Sequence, residues 1–194
     1  MTSFVHELFS DLNPSDVSLK KGDAVFRQNA VVDNMYYVKS GRVKLHRDAI
    51  DGSSVILHVA FPGDLLAEAS LFSAKYRCTS FADEKTELSC VKKIELLTVL
   101  EKKPKLVMKL LASYSHQINH LRAINELKNI RSARERVLAF LKNSADVNGE
   151  VNLAISLKDT AYFIGLTHES FYRALKVLVE SRQISRKKGM IIVL

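Results

Sequence analysis

The sequence predicts an α+β chain with an N-terminal antiparallel sandwich or barrel, one long helix, and a C-terminal winged helix-turn-helix. Three observations carry this. Between Leu19 and about Leu100 the apolar residues fall in short or alternating runs broken by Gly and Pro. At Pro104 the apolar period becomes that of a helix, and from Ala133 onward helices, a glycine turn and a basic hairpin follow in order.

In the first region the runs are Tyr36-Tyr37-Val38, Val43-Lys44-Leu45 and Val55-Ile56-Leu57-His58-Val59, punctuated by Gly22, Gly41, Gly52 and Pro62-Gly63. Many short strands at this spacing make an antiparallel sheet closed on itself or on a second sheet. Asp51-Gly52 between two such runs marks a hairpin, because its turn needs a positive φ that Gly adopts without strain. There is no internal repeat.

Pro104 suits the first turn of a helix. Behind it Val107, Leu111, Tyr114, Ile118 and Leu121 recur at alternating spacings of four and three, a coiled-coil seam. The next seam position is Asn125, whose amide in a parallel pair is satisfied against its counterpart and so favours one register. A homodimer is expected; the alternative is an ordinary amphipathic helix packed on its own domain. The predicted domains are residues 1–103, a dimerisation helix over 104–129, and 130–194.

A helix is legible from Ala133 to Asn143, then one capped by Ser156 over Leu157 to Ile164, then Gly165, then a helix from about Thr167 to Ser181 with Phe171, Leu175 and Leu178 on one face. Ile184–Arg186, the basic turn Arg186-Lys187-Lys188-Gly189 and Met190–Leu194 close the chain as a hairpin, which completes a winged helix-turn-helix. Small Ala161 fits where two helices cross, Gly165 turns the chain, and Phe171 plugs the angle. With Thr167 capping, His168, Glu169, Tyr172 and Arg173 project from the first turns and are the candidates for reading DNA bases in the major groove. Arg173 can fork onto guanine and Glu169 can accept from cytosine; the two can also form an ion pair that aims the guanidinium. Thr167, Ser170, Arg186, Lys187 and Lys188 are the candidates for phosphate. The structural alternative is a helix pair that binds no nucleic acid.

Charge points the same way. The 194 residues carry a net charge of +8, yet residues 1–103 hold 14 Lys+Arg against 14 Asp+Glu, and the rest hold 15 against 7. A neutral first half joined to a basic second half fits contact of the second half alone with a polyanion, although a merely basic surface has the same balance.

At 47% hydrophobic and 26% charged residues, disorder and collagen are excluded. Cys78 and Cys90 are too few for a disulfide scaffold or a four-thiolate iron–sulfur cluster, and they read as small core residues in a reducing compartment. His46 and His58 stand twelve residues apart without metal-ligand spacing, so no metal site is expected. The opening segment lacks a basic stretch followed by an apolar one, and no apolar run approaches the roughly 20 residues of a membrane span. A cytoplasmic protein without membrane contact is expected. No phosphate-binding glycine loop, paired-His helix or nucleophile elbow occurs, so no catalytic residue is assigned and an enzyme is not expected.

These residues resemble the superfamily of the cAMP receptor protein and the fumarate–nitrate regulator, the Crp/Fnr transcription regulators, over nearly the whole chain. The resemblance implies an N-terminal β-roll of the cyclic-nucleotide-binding jelly-roll type as sensor, a dimer helix, and a winged helix that reads DNA through Glu169 and Arg173. His168 stands where cAMP-responsive members often have Arg, and Tyr172 where oxygen-responsive members often have Ser. The segment Pro62–Phe72 followed by Tyr76-Arg77-Cys78-Thr79 is similar to the family's phosphate-binding cassette. It implies Glu68 for a ribose hydroxyl and Arg77 for a cyclic phosphate. Ala67 replaces the usual Gly, Cys78 replaces Ser or Thr, the loop between is about one residue shorter, and Leu121 and Arg122 fall where the cAMP protein meets adenine. The alternative is a Glu68–Arg77 ion pair inside a roll without cyclic nucleotide. Asn29 occupies a turn where the family often has Gly, and Asn tolerates left-handed backbone.

A cyclic nucleotide is thus one candidate effector, and the cofactor is left open. The expected partners are double-stranded DNA, a second copy of the chain, and RNA polymerase. Two other functions fit: a cyclic-nucleotide-binding module acting on a protein partner, and an effector-independent DNA-binding dimer.

Overall fold

The computed structural model describes residues 4–10, 12–48, 54–153, 155–187 and 190–194. They divide into two compact units, Met1–Tyr114 and Ser115–Leu194.

In the first unit, helix α1 (Phe4–Ser10) precedes β1 (Ser15–Leu19), β2 (Ala24–Phe26), β3 (Asn34–Ser40), β4 (Val43–Asp48), β5 (Ser54–Ala60), β6 (Leu65–Leu66), a 3₁₀ turn (Glu68–Ser70), β7 (Thr79–Ala82), β8 (Thr86–Lys92) and α2 (Lys93–Lys102). The strands form two four-stranded antiparallel sheets, in the orders β1-β8-β3-β6 and β2-β7-β4-β5. The inward side chains of both sheets, including Phe26, Met35, Val38, Val43, Leu66 and Leu88, make one core. This is the expected roll. The Asp51-Gly52 turn lies outside the described residues; the flanking β4 and β5 pair antiparallel from Val43↔Ala60 to Asp48↔Ser54.

Three features differ from the sequence expectation. Strand structure starts at Ser15, not Leu19, and it ends at Lys92, where α2 begins. The stretch Ile94–Leu100 looks strand-like in composition, but Leu96 and Leu100, four apart, are both buried, the spacing of one helical face. Helix α1 packs Val5, Leu8 and Phe9 into the same core.

Helix α3 spans Pro104–Asn129, the expected range, and the boundary between the units falls inside it. Leu106 and Leu110 are buried in the core of the first unit, with Val107 and Tyr114 partly buried against it. Those two seam residues are therefore engaged in part by their own roll. Ile124 and Leu127 are buried, while Leu111, Ile118 and Leu121 remain 53%, 49% and 60% exposed, and Asn125 is exposed. The helix thus carries one face packed within the chain and a second apolar face that is not.

The second unit continues with α4 (Ala133–Ser144), β9 (Glu150–Val151), α5 (Leu157–Phe163), α6 (His168–Glu180), β10 (Ile184–Lys187) and β11 (Met190–Val193). Val137, Leu141, Ala161, Ile164, Phe171, Leu175, Leu178, Ile184 and Ile191 form its core. Gly165 takes φ +72° at the turn between α5 and α6, as the expected sharp turn requires. The wing has three strands, β10-β11-β9, because Val151 and Glu150 pair with Ile191 and Ile192. Two residues give no readable period, so β9 leaves no trace in the sequence pattern.

Candidate nucleic-acid interface and effector site

Three helix starts in the second unit are capped by hydroxyls: Ser132 accepts from the Glu135 amide, Ser156 from Asp159, and Thr167 from Ser170. Thr167 Oγ1 also donates to Ser170 Oγ at 3.0 Å, so the two hydroxyls assigned to phosphate are joined at the start of α6. Behind them Phe171, Ala174, Leu175 and Leu178 are buried. Glu169, Tyr172, Arg173 and Lys176 are exposed on the rest of the helix, and His168 is half-buried with its ring 4.4 Å from that of Tyr172.

Glu169 and Arg173 do not pair. The Glu169 carboxyl is held below the usual carboxylate range by its own backbone amide and the Thr167 hydroxyl, with His168 and Lys158 adding to this. The unpaired amides of a helix N-terminus attract an acid in the first turn, and this competes with the partner four residues on. Arg173 is left to project on its own. Tyr172, Arg173, Leu175, Lys176, Val179 and Glu180 line one groove together with Arg186 of β10. Lys176 was not anticipated; its position three residues after Arg173 on the exposed face is the signal that would have found it. Arg186 is exposed, and Lys188 lies outside the described residues, as does the side chain of Lys187.

The cassette departs further from the expectation. Ala67 is buried with φ +73°, a left-handed conformation in which an L-residue is strained. Glu68 begins the 3₁₀ turn, and burial pushes its carboxyl up to about 7, with Asp64 adding to the effect. Tyr114 Oη donates to the Glu68 carbonyl at 3.1 Å, and burial pushes that phenol up to about 12. Arg77 does not reach Glu68: no ion pair joins them, and Arg77 is exposed. The preceding residue Tyr76 is buried, its ring stacked on Phe26 at 4.0 Å inside the core. Arg77 borders a groove with Asn29, Phe72, Ser73, Ala74, Lys75 and Tyr76 instead. Leu121 and Arg122 are exposed and belong to the second unit. Asn29 has φ +68°, the left-handed turn expected of it.

Cys78 and Cys90 are free and half-buried, and burial raises both thiols, which lowers their reactivity. His46 stacks on Phe81 at 4.9 Å. Among the described residues no three of His, Cys, Asp and Glu cluster as metal ligands, and no helix is long and apolar enough to cross a membrane.

Comparison with known proteins agrees with this architecture. The family model of the cyclic nucleotide-binding domain matches residues 16–103. The nitrogen fixation regulation protein FixK of Azorhizobium caulinodans is 30% identical over 173 residues, 85% of this chain and 69% of its own length. The cyclic AMP receptor protein of Thermus thermophilus is 27% identical over 196 residues, 95% and 90% of the two chains. The solved structure of FixK2 from Bradyrhizobium japonicum shares the fold with a TM-score of 0.76 at 24% identity, covering 94% of this chain and 93% of that one. The chain belongs to the Crp/Fnr superfamily of transcription regulators.

Proposed function

We propose that the chain acts as a homodimer that binds an inverted-repeat promoter site and regulates transcription with RNA polymerase in the cytoplasm. One observation carries this: α6 buries Phe171, Leu175 and Leu178 and exposes Glu169, Tyr172, Arg173 and Lys176 beside Arg186 of the wing. In the proposed complex the N-terminal turns of α6 enter the major groove, Arg173 donates to guanine O6 and N7, and Glu169 accepts from the paired cytosine. His168 and Tyr172 meet flanking bases. Thr167, Ser170, Arg186, Lys187 and Lys188 hold phosphates, and the apolar face of Leu111, Ile118 and Leu121 with Asn125 pairs with that of a second copy. Residues 1–103 serve as sensor, 104–129 as dimer helix and 130–194 as DNA-binding head.

The roll controls this head through an effector or state other than cAMP. The departures of the cassette support this: Ala67 and Cys78 replace the family's usual residues, and Arg77 is exposed on a groove that Glu68 does not line. The same departures favour a second reading, a dimer that binds DNA with no effector at all. Mobility-shift titration on genomic fragments, with and without cAMP and cGMP, tests both. The expected result is salt-sensitive binding that neither nucleotide changes. Binding that requires cAMP would overturn the effector reading, and no binding even at low salt, where phosphate contacts need no effector, would overturn the DNA reading.

A further inference from the structure

Arg136 lies on α4, outside both the groove and the cassette. Its half-buried guanidinium donates from Nε and Nη2 to the carbonyl of Ile130, at 2.9 and 2.5 Å, and from Nη1 to the carbonyls of Ile164 and Gly165, at 3.3 and 2.9 Å. Ile130 is the first residue past α3, and Ile164-Gly165 is the turn that launches α6. Each helix C-terminus leaves carbonyls without intrahelical partners and carries partial negative charge. Two such ends therefore converge on one cation.

Other contacts in the same unit join the same parts. A Cβ on Gly165 would come within 3.3 Å of Lys128 Cγ and 3.6 Å of Arg136 Nη1, so the turn closes against the last turn of α3. The His120 ring of α3 stacks at 6.1 Å over Phe163, the last residue of α5. The planar fork of an arginine matches three carbonyls in a way a lysine ammonium does not.

We infer that Arg136 is a positioning residue for DNA reading: it locks the turn before α6 to the end of α3, so that the two heads of a dimer present their recognition helices at one fixed separation. This rests on the proposed DNA-binding dimer. A residue that only stabilises the fold would lower affinity for every site alike, whereas a positioning residue governs the spacing between half-sites.

The test uses the full chain, the inverted repeat that the native protein selects from a random pool, and versions of that repeat with the spacer one or two base pairs longer or shorter. The native chain is expected to reject the altered spacers. Arg136→Ala is expected to lose about tenfold affinity for the selected spacing and to bind all spacers with nearly equal affinity. Arg136→Lys, the variant less prone to unfold, is expected to behave as Arg136→Ala. If either folded variant keeps the native spacing preference, with or without a uniform loss of affinity, the role of Arg136 is overturned. If the native chain itself selects no inverted repeat, the failure lies with the DNA-binding dimer, and the role of Arg136 falls with it.

Discussion

Two residues carry stability costs that can be read individually. Arg182 has φ +54° and closes the C-terminus of α6: its amide donates to the Val179 carbonyl at 3.0 Å and the Gln183 amide to Leu178 at 3.0 Å. Glycine takes this left-handed position without the steric cost that any other L-residue bears. Arg182→Gly is expected to raise unfolding stability by about 1 kcal/mol in denaturant melts; an unchanged or lower midpoint would refute the strain. Glu68 is the second. Its carboxyl sits at about 7 against an ordinary 4.5, so the folded chain holds this proton more tightly than the unfolded chain. Its contribution is therefore harmless below about pH 4.5, grows unfavourable as pH rises towards 7, and stays so above, where it costs on the order of 3 kcal/mol. The stability of Glu68→Gln relative to native is expected to rise from pH 5 to pH 8, and a difference that does not change with pH contradicts a burial cost that the Glu68 and Ala69 amides offset only in part. At the DNA-reading face, Arg173→Ala is expected to cost about 1–3 kcal/mol and relax preference at one base pair. Arg186→Ala is expected to weaken all sequences alike and lower the salt slope by about one. Identical effects of the two variants in binding assays would remove Arg173 from base readout.

Among the elements, α3 is the one on which the proposed assembly turns. Its face of Leu111, Ile118 and Leu121 is exposed in the single chain, while Leu106, Leu110, Ile124 and Leu127 are buried, so an ordinary amphipathic helix accounts for only one of its two apolar faces. Replacing Ile118 and Leu121 with Glu is expected to convert a dimer at micromolar concentration into a monomer in sedimentation. A dimer that survives both charges would move the interface elsewhere. This helix was legible in sequence because Pro104 marks its start and its period runs for many turns. The caps at Ser156 and Thr167 and the glycine turn were legible for the same local reason. Helix α2 and strand β9 were not, since ten residues of strand-like composition and two residues of any composition fix no period. The cassette shows the limit most clearly. Its motif could be read, but that Tyr76 is buried beside Phe26 while Arg77 is exposed is set by tertiary packing, which the motif does not encode. Arg136 left no signal at all, because its three acceptors are main-chain carbonyls, two of them nearly thirty residues away.

For the whole molecule, charge and fold divide the work the same way. Residues 1–103 carry no net charge and include the roll, while the excess that makes the chain +8 lies from Pro104 onward, in α3 and the winged head. Such asymmetry fits the proposed reading, in which the head meets a polyanion and the roll does not. Two-fold symmetry of the dimer then sets the form of the target, with half-sites about one helical turn, roughly 34 Å, apart. Selection of bound DNA from a random pool by the full chain tests this most directly. The predicted result is an inverted repeat at that spacing, with a G·C pair in each half-site whose selection disappears for Arg173→Ala. A selected site without two-fold symmetry, or enrichment of no sequence at all, would contradict it.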